Sequence, residues 1–568
     1  MIECENYFLT QRYAEESAEV RRGIYLAPRE YKVPKERVVT IDILIRPVDA
    51  QGDIIDGFPA DSFWLALWGN GISQDEQDND FVAIRTQTKW DEVRREYVTE
   101  RRFLQDWHDP SKWEESHIAG SVWFSHIEPL ALYLIDAKRD IQEEMYNKNS
   151  FWNRLVSDLG LTDDKVEEFE NRLGELNQEI TNSSEVLQHV QTHLNELYQT
   201  ISCEQDSVFI NPIPRHLRNL SKGADINFAT RGAQTFPLAR HGMGTRSLAV
   251  LLTFRAYMTW RKRDVQDGTV HPMLGLEEPE AHLHPQAQRA LFEQIKQIPG
   301  QRIVSTHSPY IASQAQISTF RHFRKNGADT IVTQLDTSSL MEEDQRKIER
   351  MVMNTRGDLL YARAVILFEG ETEEQALPEF AEKYWELQPN ALGISLIGVG
   401  GYGKYLPFLR LVSNFGIPWY ILSDAEDLAI NRVESALQKI GISDYSQHSN
   451  ILFLSPGDNF ESYLVHEGYG DVIQTMLDTC NEKTGYLREY MKDKHGQNLT
   501  KKIIRDYKSE GGDIRAMIDI LSGDKTKYGL PLAQAITNLT DKNRRFPCKI
   551  RQLFEQVSDD LDLTKRGI

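Results

Sequence analysis

No apolar run in the 568 residues approaches the roughly 18 that a membrane-crossing helix needs, and the acidic opening MIECENYFLT does not read as a signal peptide. Cysteine is scarce: Cys4, Cys203, Cys480 and Cys548 stand far apart with no CxxC pair. This argues against a disulfide framework and a zinc ribbon and fits a reducing cytoplasm. Positive charge is also in deficit, with a formal net charge of −20, which counts against a nucleic-acid ligand because phosphate contacts need Lys and Arg. Local clusters nevertheless exist, among them Arg94–Arg95 with Arg101–Arg102, Arg261–Lys262–Arg263, Lys501–Lys502 with Arg505, and Lys542–Arg544–Arg545 with Lys549–Arg551. Binding follows local fields rather than the sum, although each cluster alone also reads as a solvated helix end. No solenoid period or low-complexity tract is present.

What is there is a chain of ordinary globular composition, too long for one hydrophobic core, so two or three domains are expected. Residues 37–135 read as short β segments, such as Val38–Ile45, Phe63–Leu67 and Phe81–Arg85, and a helical stretch is expected from about 139. Val166, Phe169, Leu173, Leu176 and Ile180, then Leu187, Val190, Leu194, Leu197 and Ile201, keep a 3-4 alternation that suits a coiled coil or a hairpin bent near Thr181–Ser184. An amphipathic helix pair packed on its own domain explains it equally; a dimerisation arm is the sharper reading. From Ala364, strands (364–368, 393–397, 418–423, 450–454) alternate with helices (373–385, 404–413, 431–440), which implies a parallel sheet covered on both faces.

Pro272–His284, PMLGLEEPEAHLH, is an apolar strand ending in Glu277 and Glu278. In phosphoryl transfer one such acid holds the Mg²⁺ shell and its neighbour can orient the attacking water. A second strand runs into Ser305-Thr306-His307-Ser308-Pro309, where His307 could reach a γ-phosphate. His241-Gly242-Met243-Gly244-Thr245-Arg246 sets glycines and an arginine at a helix N-terminus, suited to an anion. In this order the segments resemble ABC-type ATPases of the SMC and OLD kind. The resemblance implies Glu277 as the Mg²⁺-side acid, Glu278 as the catalytic acid, His307 as the switch, and Gly242, Gly244 and Arg246 facing the nucleotide of a partner subunit. The phosphate loop Gly-x4-Gly-Lys-Ser/Thr is missing upstream of residue 240. The tempting Gly398-Val-Gly-Gly-Tyr-Gly403-Lys404-Tyr405 has tyrosine where a Mg²⁺-binding hydroxyl belongs and lies in the wrong half. ATP as a cofactor is therefore left open: the N-terminus is incomplete, a partner protein supplies the loop, or the head no longer holds ATP.

In the second half, AVILFEGETEE (Ala364–Glu374) delivers Glu369 from a strand end and Glu373 from the next helical turn, and Asp424-Ala-Glu426-Asp427 ends another strand. Parallel strand ends gather at one sheet edge, where acids repel unless divalent cations fill the space; two Mg²⁺ or Mn²⁺ ions there could activate water against a phosphodiester. The pattern resembles the Toprim fold, with the glycine turn GVGGYG between the motifs and glutamate at 426 in place of a second aspartate; Asp427 is a fallback ligand. Glu461 and Lys527 resemble the later acid and lysine of the OLD (overcoming lysogenization defect) Toprims, Lys527 being favoured over Lys525. A helix-cap acid and a surface lysine explain these two almost as well.

Residues from about 130 to 555 resemble the OLD family, helped by Tyr133–Asp140 and Phe546–Arg551. The expected architecture is α/β: an ABC-type ATPase head (1–150 and 211–355), incomplete at its N-terminal end, a helical insertion (151–210), and a Toprim nuclease domain with a helical extension (356–568). The resemblance implies DNA nicking or cleavage regulated by the head, often in anti-phage defence, with DNA and a second copy of the chain as partners. The alternatives are a non-catalytic ATPase-like subunit that assembles with partner proteins, and a primase or topoisomerase, which the cysteines and the ATPase-like motifs fit poorly. With no phosphate loop, these 568 residues alone are expected to bind little or no ATP, which a nucleotide titration checks.

Overall fold

The computed structural model describes residues 35, 38–49, 53–108, 112–130, 132–137, 161–189, 191, 212–213, 227–228, 236–264, 271–327, 329–335, 340–499 and 504–563. The helix expected from 139, the stripe from Leu194 to Ile201, Arg139 with Asp140, and Lys501–Lys502 lie outside them. The chain divides into two compact units, 1–284 with 290–305, and 306–568 with 285–289.

The first unit opens on an antiparallel sheet of β1 (Val39–Ile45), β2 (Ile72–Gln74), β3 (Asp80–Asp91), β4 (Glu96–Leu104) and β5 (Ile118–Ser121), in the order β1-β3-β4-β5 with β2 also on β3. Arg85 and Asp42 face each other across β1 and β3 in a largely buried ion pair of 2.7 Å. Phe63–Leu67, expected as a strand, is instead part of helix α1 (Phe63–Trp68). The apolar run alone has no period that separates strand from helix. Ser62 decides it by accepting the Leu65 N–H as N-cap, and Trp68 then turns inward with its Nε1 on the His126 carbonyl at 3.0 Å.

A parallel three-stranded sheet follows, with β6 (Leu132–Ile135), β7 (Met273–Glu277) and β8 (Gln301–Ser305) in the order β8-β7-β6. Helix α3 (Met243–Asp264) sets Phe254 against Tyr133, ring centroids 5.2 Å apart. The stripe-bearing helix α2 (Asp163–Ser183) stops at Ser184, where a bend was expected. Its buried positions include Asn177 and Thr181, and Asn177 exchanges two 2.8 Å hydrogen bonds with the Ile213 backbone. Phe169 and Leu176 of the apolar stripe stay exposed. Helix α4 (Pro285–Lys296) connects β7 to β8.

In the second unit β9 (His322–Asn326) and β10 (Asp329–Thr333) form a hairpin, followed by a four-stranded parallel sheet. Its strands are β11 (Ala364–Phe368), β12 (Ile394–Gly398), β13 (Trp419–Ser423) and β14 (Ile451–Phe453), in the order β12-β11-β13-β14. Helices α5 (Glu371–Trp385), α6 (Tyr405–Asn414) and α7 (Asp427–Gln438) alternate with them as the sequence pattern implies. Every residue of β11 is buried. Ala364, Ile366 and Phe368 enter one core while Val365 and Leu367 enter the other, the period of two that a sheet covered on both faces requires. Residues 312–355, grouped with the head above, supply Ile317, Ile348 and Val352 to this second core.

The C-terminal segment is helical: α8 (Phe460–Leu464), α9 (Gly470–Cys480), α10 (Tyr486–Lys494), α11 (Gly512–Gly523), α12 (Lys525–Thr537) and α13 (Cys548–Asp560). Helix α12 lies close along α5 because position 529 has no side chain. A Cβ there would stand 2.7 Å from the Gln375 Cβ and 3.0 Å from the Thr372 carbonyl oxygen. Gly529→Ala is therefore expected to push α12 off α5 and destabilise the domain by about 1–3 kcal/mol, read as a lower urea midpoint at unchanged slope.

Candidate functional site

Phe368 pairs in register with Leu422, so Glu369 leaves β11 beside Ser423, with Asp424 one residue further along the neighbouring strand. Adjacent strands lie about 4.8 Å apart, which brings the two carboxylates to the same edge. The turn after β12 closes over Glu369. The Val399 N–H donates to the Phe368 carbonyl at 2.8 Å, the Gly401 N–H to the Glu369 carbonyl at 3.1 Å, and the Tyr402 N–H to the Glu369 carboxylate. Gly400 and Gly401 have φ of +76° and +122°, where a side chain would be strained. The glycine pattern that imitates a phosphate loop thus serves to hold an acid.

Helix N-termini bring in the other acids. Glu373, in the first turn of α5, is buried and accepts the Gly370 N–H at 3.3 Å. Glu461, in the first turn of α8, is 1% exposed; its Oε1 accepts the Thr372 hydroxyl and lies 3.3 Å from the Lys525 Nζ. Two backbone bonds, Ala425 N–H to the Asp458 carbonyl (2.8 Å) and Gly457 N–H to the Ala425 carbonyl (2.9 Å), pin the Asp424 turn to the turn before α8. Asp458 in turn pairs with His466 Nδ1 at 2.7 Å. Glu426 and Asp427, at the start of α7, are exposed.

Lys525 and Lys527 separate here. Lys525 stands beside the acids, whereas Lys527, favoured from the sequence, is exposed and donates to the Asn481 side chain at 2.8 Å. Burial draws the Lys525 pKa down, but Glu461, Glu373 and Asp424 outweigh it, so the ammonium is held charged. Thr372, Ser423 and Tyr405 also belong to this edge. No motif marks them, because only the fold brings them to the acids.

Burial, and next the charge of Glu461, pushes Glu373 up to about 7. Burial, with the charges of Glu373, Glu369 and Glu461, pushes Asp424 up to about 8. Glu369 is raised by burial and by Glu426, with the Tyr402 N–H opposing. Glu369 Oε2, Asp424 Oδ1 and Glu461 Oε2 are buried without a hydrogen-bond partner. Among the described residues no three His, Cys, Asp or Glu side chains yet converge at metal-ligand spacing. The donors therefore fit a hard divalent cation by chemistry and by their unmet oxygens, while their spacing is that of a cluster in repulsion.

In the first unit Glu277 ends β7 in register with Ser305, and the Glu278 N–H donates to the Ser305 carbonyl at 2.9 Å with φ +40°. Both acids are exposed. Gly242 precedes α3 and Gly244 lies in its first turn; a Cβ at Gly244 would stand 2.5 Å from the His282 carbonyl oxygen, so the glycine permits close backbone approach. The Arg246 guanidinium bonds the Met243 sulfur. His307 lies in the second unit, its ring 6.3 Å from that of Tyr361.

Comparison with known proteins agrees with this layout. An AAA ATPase domain family matches residues 95–312, and the Overcoming lysogenization defect protein-like TOPRIM domain matches residues 360–425. The uncharacterized protein YbjD of Escherichia coli K12 is 26% identical over 37% of this chain and 38% of its own length. The OLD nuclease of Thermus scotoductus is 27% identical over 34% and 37%, and the Old nuclease of Escherichia phage P2 is 23% identical over 34% and 34%. The chain thus spans a little over a third of each relative's length. It is an ATPase–Toprim protein, an AAA-type domain followed by a Toprim domain. That pairing, with the OLD nucleases it matches, supports the likeness to the OLD family of ATPase–Toprim proteins. No described helix is long and apolar enough to cross a membrane.

The raised Asp424 pKa fixes the sign of a pH dependence. Its carboxyl binds a proton more tightly folded (about 8) than at its ordinary value of 3.8, so its contribution is full below about pH 4 and is lost as pH rises through 8. The metal-free protein is expected to melt at a lower temperature as pH rises from about 5 to 8, and Asp424→Asn to flatten that slope. An unchanged slope in the variant would count against the shift.

Proposed function

We propose that this chain is a divalent-metal-dependent endonuclease that hydrolyses DNA phosphodiesters at the β11–β13 edge, under the control of its ATPase-like head. The observation that carries the reading is the set of three buried, unpartnered carboxylate oxygens, on Glu369, Asp424 and Glu461, beside a charged Lys525. Mg²⁺ or Mn²⁺ held by these carboxylates, with Glu373, Glu426 and Asp427 at the margin, would supply Lewis acidity to the phosphate oxygens. Attack of water on phosphorus forms one P–O bond and breaks the bond to the leaving sugar oxygen. The Lys525 ammonium is placed to stabilise the charge gathering on the phosphate between them. Lys527 is left a surface role.

In the head, Glu277 and Glu278 would serve the Mg²⁺ and water of a nucleotide, with Gly242, Gly244 and Arg246 toward the nucleotide of a second subunit. The exposed apolar positions Phe169 and Leu176 on α2 support self-association through the helical insertion. A cytoplasmic role in defence against phage is the further part of this proposal and rests on the motif resemblance to the OLD family alone. The rival is a subunit that assembles with partners and cuts nothing; the acids that do not yet converge favour it.

A plasmid-nicking assay with Mg²⁺ or Mn²⁺ separates them. Glu369→Ala and Asp424→Ala are expected to abolish nicking, Lys525→Ala to lower it about a hundredfold, and Lys527→Ala to leave it near wild type. Equal nicking by wild type and both acid variants would remove the nuclease reading, and a silent wild type would select the rival.

A further inference from the structure

Tyr405 is the first residue of α6, directly after the glycine turn that holds Glu369. It is 0% exposed, and its hydroxyl makes no hydrogen bond of ordinary geometry. The Ser423 Oγ, next to Asp424 in the chain, is equally buried and equally without such a bond, and the two hydroxyls lie beside one another. Glu369, Glu373 and Asp424 are close enough that their charges, after burial itself, hold the phenol well above its usual range, so it stays protonated and can only donate or accept as a neutral hydroxyl. A buried hydroxyl left unmet costs about 1–3 kcal/mol. Here two unmet hydroxyls accompany the unmet oxygens of the acid site, Asp424 Oδ1, Glu369 Oε2 and Glu461 Oε2, so donors and acceptors are both left over without being joined.

The geometry points to Tyr405 as a positioning residue of the acid site: its hydroxyl, relayed through Ser423 Oγ, orients Asp424, one of the acids that would hold a divalent cation. The inference rests on the reading of these acids as a cation site. In the metal-free arrangement the acids repel one another and the relay stays open. With Asp424 held for a cation, the two hydroxyls and the carboxylate oxygen would be satisfied together. Partners behind the ligands commonly change metal affinity 10–100-fold when removed.

The test is Mn²⁺ binding by the full chain, measured by calorimetry or by the Mn²⁺ electron spin resonance signal, with no reaction needed. Tyr405→Phe removes one oxygen and keeps the buried ring. It is expected to weaken Mn²⁺ binding about tenfold or more while leaving the metal-free melting temperature equal or higher, because an unmet hydroxyl is gone. Ser423→Ala should weaken binding similarly, and the double variant no more than either single one, as members of one relay. Wild-type affinity in Tyr405→Phe, or losses that add in the double variant, would overturn the relay alone. A wild-type chain that binds no Mn²⁺ would overturn the cation-site reading and the relay with it.

Discussion

The mutual repulsion of Glu369, Glu373, Asp424 and Glu461 is the constraint around which the second unit is built. Carboxylates brought out of water and toward one another resist ionisation, and Glu373 and Asp424, pushed to about 7 and about 8, register that resistance. Three features keep the group assembled. The parallel strands fix where Glu369 and Asp424 emerge. The N-termini of α5 and α8 lend their positive dipole ends to Glu373 and Glu461, and the Tyr402 N–H bonds Glu369 directly. Lys525 is the exception that proves the strength of the field. It sits at the first position of α12, where the dipole disfavours a cation, and Glu461 outweighs that.

The position of Lys525 depends on packing some distance away. Its helix reaches the acids only because Gly529, one turn further on, lets α12 lie against the Thr372 carbonyl and the Gln375 side chain. Thr372 itself turns its hydroxyl to Glu461. One helix–helix contact thus sets a core distance and delivers the lysine that pairs with the buried Glu461. Core packing and site electrostatics are the same contact seen from two ends.

Much of this half could be read from the chain, for definite reasons. AVILF and WYILS are continuous apolar runs because strands buried on both faces have no polar side to show. FWLALW has the same appearance and forms a helix, since the deciding feature is one hydroxyl at Ser62 that an apolar pattern does not weigh. That Lys525 rather than Lys527 meets Glu461 was hidden in the sequence for a related reason. Asp524 caps α12 through the Lys527 N–H, which makes both lysines part of the first turn. Two residues apart on a helix, about 200° around the axis, they face opposite ways, one to Glu461 and one to Asn481. Tyr405 was visible only as the residue that spoils a phosphate loop; its burial beside the acids is a product of tertiary closure.

The acid pair of the first unit and the acid cluster of the second contrast in a way that bears on where chemistry can occur. Glu277 and Glu278 end a strand as Glu369 does, yet both are exposed to solvent. The acids of the second sheet have lost that solvation and have unmet oxygens in its place. A net charge of −20 then works with this arrangement as well as against it. The surplus repels a polyanion at long range, while at short range the buried portion of it is what a divalent cation would neutralise. On the proposed reading a phosphodiester would be received at this edge by charge the protein has to borrow, and among the described residues Lys525 is the lysine held there by an ion pair with Glu461.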